Sequence, residues 1–273
     1  MDIPLKRMDG AELRIMTSNI WGDYFGNPPD ERDNALADVY LRYLPDALSL
    51  QEVTPNWWKS RLFKRLEGEY AVVEGDGPDQ TNYIPLLYRP ARLELMDGDW
   101  QLYHGKLDRS KGFTWGVFKD KETGKKFIGY STHFWWKGSD ESNYIRTVNA
   151  EKLMAKLTEL QKKYDCAVVG GGDFNCNVSS DPFKIMAEFD FVSAQEIAEI
   201  ASPECSHHGD PKRGDDGKYH GQPRPTDNVK ERSIDHLVVY RPRIRLLGEY
   251  VILDQDALDA TDHSPIFTDI VLV

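Results

Sequence analysis

Residues 168–175 read Val168-Val169-Gly170-Gly171-Gly172-Asp173-Phe174-Asn175. An apolar strand runs into three glycines and then presents a carboxylate and an amide two positions apart. On extended backbone, side chains at i and i+2 share a face, so Asp173 and Asn175 are expected to look into one site. Further out, other polar groups end apolar runs in the same way. Asn19 closes Leu13-Arg14-Ile15-Met16-Thr17-Ser18. Glu52 follows Ala47-Leu48-Ser49-Leu50-Gln51, and Asp262-His263 precedes Pro265-Ile266-Phe267. Taken singly, Glu52 also reads as a solvated strand-end carboxylate. Asn, Glu, Asp and His gathered at several strand ends make up the donor set of a hard-cation hydrolytic site.

The 273 residues fit one large domain or two small ones. No internal repeat or clean linker divides them, so a short extension over 1–11 and one domain over 12–273 are expected. A 40% hydrophobic content with 7 Trp, 13 Tyr and 11 Phe supplies a substantial core. The net charge of −11 and the lack of any Lys/Arg block argue against gripping a long duplex. A small phosphodiester remains compatible, because a bound cation neutralises phosphate locally. No stretch resembles an 18-residue apolar membrane span, and the N-terminal residues lack the apolar centre of a signal peptide. Cys166, Cys176 and Cys205 are odd in number and form no C-x-x-C pair. That favours a reducing, cytoplasmic setting, with secretion left open for a trimmed sequence. Cys205 lies near His207 and His208, but a structural zinc site there would need a fourth ligand.

Periodicity predicts strands at 12–19, 47–50, 70–74, 84–88, 92–95, 113–119, 126–132, 167–169, 237–240, 245–253 and 265–271. Helices are predicted over 31–44, 55–66 and 143–162, with shorter ones at 182–188 and 194–199. Residues 201–232 hold four glycines, four prolines and few apolar groups. They cannot form a core alone, and a connection of that length is usually functional or disordered. Many strands and about three good helices fit an α+β fold with two sheets face to face and helices outside.

His133 ends Phe127-Ile128-Gly129-Tyr130-Ser131-Thr132-His133, and His263 follows Asp262. A histidine pair suits phosphate chemistry: one imidazole helps generate hydroxide, and the other donates to a phosphoryl or leaving oxygen. Asp235 is placed to orient His263 and fix its tautomer. Trp21, Tyr24 and Phe25 follow the first strand, and Trp135-Trp136 follow His133. Aromatics there can stack on a base or pack on a sugar. Trp21, Phe25, Trp135, Trp136 and Arg146 are therefore substrate-binding candidates. For Arg146 the plainer reading is a solvated helix head.

The ordered set Thr17-Ser18-Asn19, Leu50-Gln51-Glu52-Val53, Leu87-Tyr88-Arg89-Pro90, Ser131-Thr132-His133, Gly172-Asp173-Phe174-Asn175, Ser233-Ile234-Asp235-His236 and Thr261-Asp262-His263-Ser264-Pro265 resembles the endonuclease/exonuclease/phosphatase superfamily, the DNase I-like fold. The likeness runs from about residue 12 to 272. It implies a four-layer α/β/β/α sandwich with two mostly antiparallel central sheets, and Mg²⁺- or Mn²⁺-dependent phosphoester hydrolysis. By this match Glu52 resembles the principal metal ligand, assisted by Asn19 and Asp262. Asp173 resembles the group that positions or deprotonates the attacking water, or else a ligand of a second metal. Asn175 looks like a phosphate-orienting donor. His263, paired with Asp235, looks like a base or phosphate-binding imidazole, and His133 like the second catalytic histidine. One departure stands out. Some relatives carry a glutamate six residues before the tyrosine of Tyr88-Arg89, supporting the first histidine; here that position is Asn82, which can orient an imidazole but not stabilise its cation.

The resulting expectation is a metal-dependent phosphodiesterase or phosphatase acting on a small phosphoester or short single-stranded nucleic acid. A DNA endonuclease is the enzymatic alternative, and a catalytically inactive phosphoester-binding module is the alternative of another class.

Overall fold

Ile15 and Met16 are neighbours in the first strand, yet they serve different cores. Ile15 packs into one buried cluster and Met16 into another. Successive strand side chains point to opposite faces, so both faces of this sheet are covered. The computed structural model describes residues 3–78 and 80–273. Its strands are β1 (Leu13–Asn19), β2 (Ala47–Gln51), β3 (Ala71–Val72), β4 (Leu86–Tyr88), β5 (Leu93–Leu102), β6 (Gly112–Asp120), β7 (Lys126–His133), β8 (Ala167–Asp173), β9 (Phe191–Ser193), β10 (Ile200–Ala201), β11 (Lys212–Arg213), β12 (Tyr219–His220), β13 (Asp235–Tyr240), β14 (Ile244–Val251) and β15 (Ile266–Leu272). Its helices are α1 (Asp33–Tyr43), α2 (Pro55–Trp58), α3 (Arg61–Leu66), α4 (Asp140–Tyr164), α5 (Asp181–Glu188), α6 (Ala194–Ile197), α7 (Val229–Arg232) and α8 (Gln255–Ala260).

One sheet has the order β10-β14-β15-β1-β2-β4-β3 and the other β5-β6-β7-β8-β13-β9. Three cores separate four layers. Leu36, Tyr40, Leu62 and Ala257 pack the first helical layer onto β1, β2 and β15. Leu153, Leu157, Phe183 and Met186 pack α4 and α5 onto the second sheet. Ile15, Leu86, Phe127, Val169, Leu237 and Ile266 fill the space between the sheets. The fold is the expected α+β sandwich of four layers.

Most pairings are antiparallel, but each sheet holds one central parallel pair that decides where the chemistry sits. β1 runs parallel to β2, with Asn19 opposite Gln51. β7 runs parallel to β8, with His133 opposite Asp173. Helices α1 and α4 make the two crossovers, as parallel neighbours require. All four strands therefore finish at the same end of the sandwich. β13 is antiparallel to β8 and begins there, with Asp235 opposite Asp173. The sheets are tied together near this end. Ser49 Oγ donates to Tyr130 O (2.8 Å) and Ser131 Oγ to Leu50 O (3.0 Å).

Several elements differ from expectation. The segment 55–66 forms two short helices, because Thr54 caps α2 and Ser60 caps α3 through Leu62 N. β5 extends seven residues past the predicted Leu95, beyond a register shift between Leu95 and Asp97. β8 runs straight through its glycines instead of ending in them. Residues 201–232 hold a small β11/β12 hairpin, the helix α7 and buried Cys205 and Ser206. Among the described residues no helix is long and apolar enough to cross a membrane.

Candidate active site

A cleft of about 700 Å³ opens where the parallel strands end. Trp21, Tyr24, Phe25, Glu52, Tyr83, Lys111, His133, Trp136, Asp173, Asn175, Asp210, Asp262 and His263 line it, together with residues 107–110. Backbone geometry marks the same place. Trp21, Glu52 and Asn175 are non-glycine residues with φ of 56°, 65° and 51°. Such conformations cost on the order of 1–3 kcal/mol each and gather at functional sites. They turn the chain sharply just past β1, β2 and β8, which aims side chains from strand ends into the cleft. The extended-backbone argument for Asp173 and Asn175 therefore gives way to a different cause. The strand stops at Asp173, and Asn175 comes back in the left-handed region with its N–H donating to Asp173 Oδ1 (2.8 Å).

The oxygen donors converge. Asn19 Nδ2 lies 3.3 Å from Glu52 Oε1 and 3.1 Å from Asp173 Oδ2. Trp21 N donates to Asn19 Oδ1 and Gly22 N to Glu52 Oε2. Asp262 is brought alongside by Thr261, whose hydroxyl donates to Asn19 O (2.7 Å). Asp262 Oδ1 is buried without a hydrogen-bond partner among the described residues. Burial and Asp235 push the Asp173 carboxyl up to about 7, against the pull of His263 and Lys111. Burial, with Glu52 and Asp210 nearby, pushes Asp262 up to about 6 although His263 opposes it. Three crowded carboxylates with one orphaned oxygen fit a hard divalent cation.

His263 Nδ1 lies 2.7 Å from Asp235 Oδ2, and the same oxygen accepts from Ser206 Oγ. Burial alone would lower the His263 imidazole, but Asp235 and Asp262 hold it well above its ordinary value. His263 correspondingly holds Asp235 down despite burial. His133 is the opposite case. Burial, then Lys111 and His263, press it well below the usual range, so it is neutral at pH 7. Lys111 Nζ is 2.5 Å from His133 Nε2, and that nitrogen is 3.5 Å from Asp173 Oδ2. Burial lowers the Lys111 amine while Glu52 and Asp173 counter it. Sequence reasoning missed Lys111. Its one signal was position: a lone lysine opening the apolar run Phe113–Lys119.

Asn82 does not serve as the orienting group for His133. Its Nδ2 donates to Thr114 Oγ1 (3.0 Å) and its Oδ1 accepts from Ile84 N (2.9 Å). Arg146 also departs from its expected place. It is buried, it donates to the carbonyls of Trp135 and Lys137, and it is not among the cleft-lining residues. It closes the turn into α4. Trp135 lies outside the cleft lining too, edge-on to His104 at 5.9 Å. Trp136, 60% exposed, and Phe25, 85% exposed, stand on the rim. Trp21 is buried in the wall, packed between Arg32 and Tyr219 of the long loop. His236 is structural, with its Nε2 against Cys176 O and Ser233 O at 3.1 Å.

The sequence profile of the Endonuclease/Exonuclease/phosphatase family matches residues 16–263. The chain belongs to this family. Solved structures of the same fold include an endonuclease/exonuclease/phosphatase from Bacteroides vulgatus, with 24% identity, 96% of this chain and 99% of that one covered, and a TM-score of 0.74. The mannosyl-6-phosphatase of Bacteroides thetaiotaomicron covers 95% of this chain and 100% of its own at 17% identity, with a TM-score of 0.67. D. rerio TDP2 complexed with a single-strand DNA product covers 95% and 98% at 16% identity, with a TM-score of 0.68. No curated protein sequence matches the chain. Membership of this endonuclease/exonuclease/phosphatase family accounts for a chain that places oxygen donors and two imidazoles around one cleft.

Proposed function

We propose that the chain is a Mg²⁺- or Mn²⁺-dependent phosphoesterase acting on a small phosphoester or a short single strand. The convergence of Asn19, Glu52, Asp173 and Asp262 from four separate strand ends carries this reading. A divalent cation held by Glu52, with Asn19 and Asp262, would supply Lewis-acid charge at the phosphoryl oxygens. The chain's own groups do the rest. Asp173, lifted towards neutrality, accepts the proton of the attacking water. His263 is fixed by Asp235 through Nδ1, so its Nε2 faces the cleft as a donor to phosphate. Asn175 orients the nucleophile or a phosphoryl oxygen. Lys111 brings its buried amine to the same centre and donates to Nε2 of the neutral His133, which lies 3.5 Å from Asp173 Oδ2.

Phe25, Trp136 and Leu107 stand exposed at the mouth of the cleft, with Tyr24 and Tyr83 behind them. Such a rim suits a phosphoester bearing an aromatic or sugar group. A cleft of about 700 Å³ and a chain of net charge −11 fit a small substrate better than a duplex. The decisive experiment is a metal-supplemented hydrolysis panel of mono-aryl and bis-aryl phosphates, sugar phosphates, cyclic dinucleotides, short DNA and RNA, and phospholipid headgroups. Hydrolysis of a small ester that disappears with EDTA and with Asp173→Asn supports the proposal. Asp173→Asn should lower kcat by at least ~100-fold. Preferred, salt-sensitive cleavage of duplex DNA would favour the endonuclease instead. Silence across the panel at saturating Mg²⁺ and Mn²⁺ would leave the binding module.

A further inference from the structure

Two histidines of the long loop have no part in the chemistry above, yet they sit against it. His207 forms an isolated bridge to His263, and their ring centroids lie 4.5 Å apart with planes tilted by 46°. One ligand atom each from His207, Asp262 and His263 falls within 4.8 Å of the others. His263 Nε2 is 3.9 Å from Asp262 Oδ2. Both ring nitrogens of the next residue, His208, are buried without a partner among the described residues, as is Asp262 Oδ1. An unpartnered buried carboxylate oxygen beside two imidazoles is a costly arrangement that a cation would answer.

The donor set discriminates between cations. Mg²⁺ prefers oxygen ligands and keeps several waters, so two imidazoles suit it poorly. Two imidazoles and one carboxylate suit Zn²⁺, whose bonds of about 2.0–2.1 Å place tetrahedral ligands about 3.4 Å apart. The three ligand atoms, within 4.8 Å of one another and 3.9 Å apart for His263 and Asp262, would have to draw in around the ion. Cys205 is not part of this group. Its thiol donates to Val229 O, in a small cavity that His207 also lines with Arg224, Thr226 and Arg232.

We propose that His207, Asp262 and His263 form a second, nitrogen-rich site that takes Zn²⁺ and, when filled, halts hydrolysis. The ion would occupy the Nε2 face of His263 and draw Asp262 away from the hard-cation site. The inhibition rests on the phosphoesterase reading; the binding does not. Binding is tested by titrating metal-free protein with Co²⁺ and following its visible ligand-field bands. In wild type, one Co²⁺ with bands of a low-coordinate site is expected, displaced by micromolar Zn²⁺ but not by millimolar Mg²⁺. His207→Ala and the ring-sized His207→Phe should each weaken Zn²⁺ binding at least 10-fold, with folding checked by circular dichroism. A folded variant that binds Zn²⁺ like wild type overturns the site, as does displacement of Co²⁺ by Mg²⁺. With Mg²⁺ saturating, the Zn²⁺ concentration that halves each protein's own rate should rise at least 10-fold in His207→Phe. An unchanged value refutes the inhibitory role. Absence of any Mg²⁺-dependent hydrolysis in wild type defeats the phosphoesterase reading, while the absorption titration still decides the zinc site.

Discussion

Lys111 is the residue whose removal separates charge from shape in this cleft. Its ammonium sits at hydrogen-bond distance from His133 and contributes, after burial, to holding that imidazole neutral. Lys111→Met keeps the apolar stem and deletes the cation. If the cation helps stabilise phosphoryl charge, kcat/KM should fall by ~100-fold or more, the scale of losing one well-aimed donor. Lys111→Arg should retain part of it. Lys111→Met should also raise the His133 pKa, which imidazole NMR reads directly; an unmoved titration would mean that burial and His263 set it without Lys111. Away from the cleft, Glu249 of β14 offers a clean stability test. It is buried, and burial pushes its carboxyl up to about 8 from an ordinary 4.5. Its Oε2 has no partner among the described residues. A carboxyl raised in the folded state favours folding while it stays protonated. The unfolded chain releases that proton near pH 4.5 and the native state only near 8, so stability is intact below 4.5 and is lost as pH rises to 8. Glu249→Gln should therefore leave Tm nearly unchanged at pH 4.5 and raise it by about 5 °C or more at pH 8.5. Parallel melting curves of the two proteins across that window would count against an un-ionised Glu249.

At the scale of elements, β8 is the strand on which the two sheets and the site depend. A Cβ at Gly172 would lie 1.8 Å from Thr132 O, and one at Gly170 would lie 2.3 Å from Tyr130 O. Both contacts are with backbone of the parallel neighbour β7, which cannot swing away as a side chain can. Gly172→Ala should thus cost more than an ordinary strand Gly→Ala, several kcal/mol by analogy with overpacked cores. It should shift Asp173 from His133 as well. A variant with wild-type Tm and activity would show that β7 and β8 tolerate separation. This strand also shows what the sequence could and could not say. The apolar run Ala167–Val169 and the polar pair Asp173 and Asn175 after the glycines were readable, because burial and strand ends leave compositional marks. The three glycines read as the end of the strand, because their real cause is a close approach by distant residues, β7 at Gly170 and Gly172 and β13 at Gly171. Asn175 was assigned to the cleft on the wrong backbone conformation for a similar reason, since a single left-handed residue leaves no periodic trace. Lys111, Ser206 and Asp210 went unseen because they come from loops, where no period ties a residue to a site. The long loop looked solvent-filled by composition, but Tyr219 packs on Trp21 and Ser206 holds Asp235. The family motifs conveyed the rest of the site because they name positions rather than periods.

At the scale of the whole molecule, the cleft is a seam between two sheets. Asn19 and Glu52 come from the first sheet, Asp173 and His133 from the second, and Asp262 from the approach to β15. Without a cation this seam buries its carboxylates at a cost: burial with Asp235 raises Asp173, and burial with Glu52 and Asp210 raises Asp262. A divalent ion bound there, as proposed, would link both halves of the sandwich and bind the native state far better than the unfolded chain. At a concentration 100 times its Kd, that linkage is worth about 2.7 kcal/mol, or roughly 5 °C in Tm for a chain of this size. Melting in EDTA and in 10 mM Mg²⁺ should differ by about that amount. Glu52→Gln should remove most of the difference, since the substitution deletes the charge of the proposed principal ligand. It should also melt higher than wild type in EDTA, because the negative charge that helps raise Asp262 is gone. Those two effects have opposite signs and a single cause. A Glu52→Gln protein that loses stability in EDTA and keeps the full Mg²⁺ gain would break the link between Glu52 and the ion, and with it the argument that the sheets meet in order to share a cation.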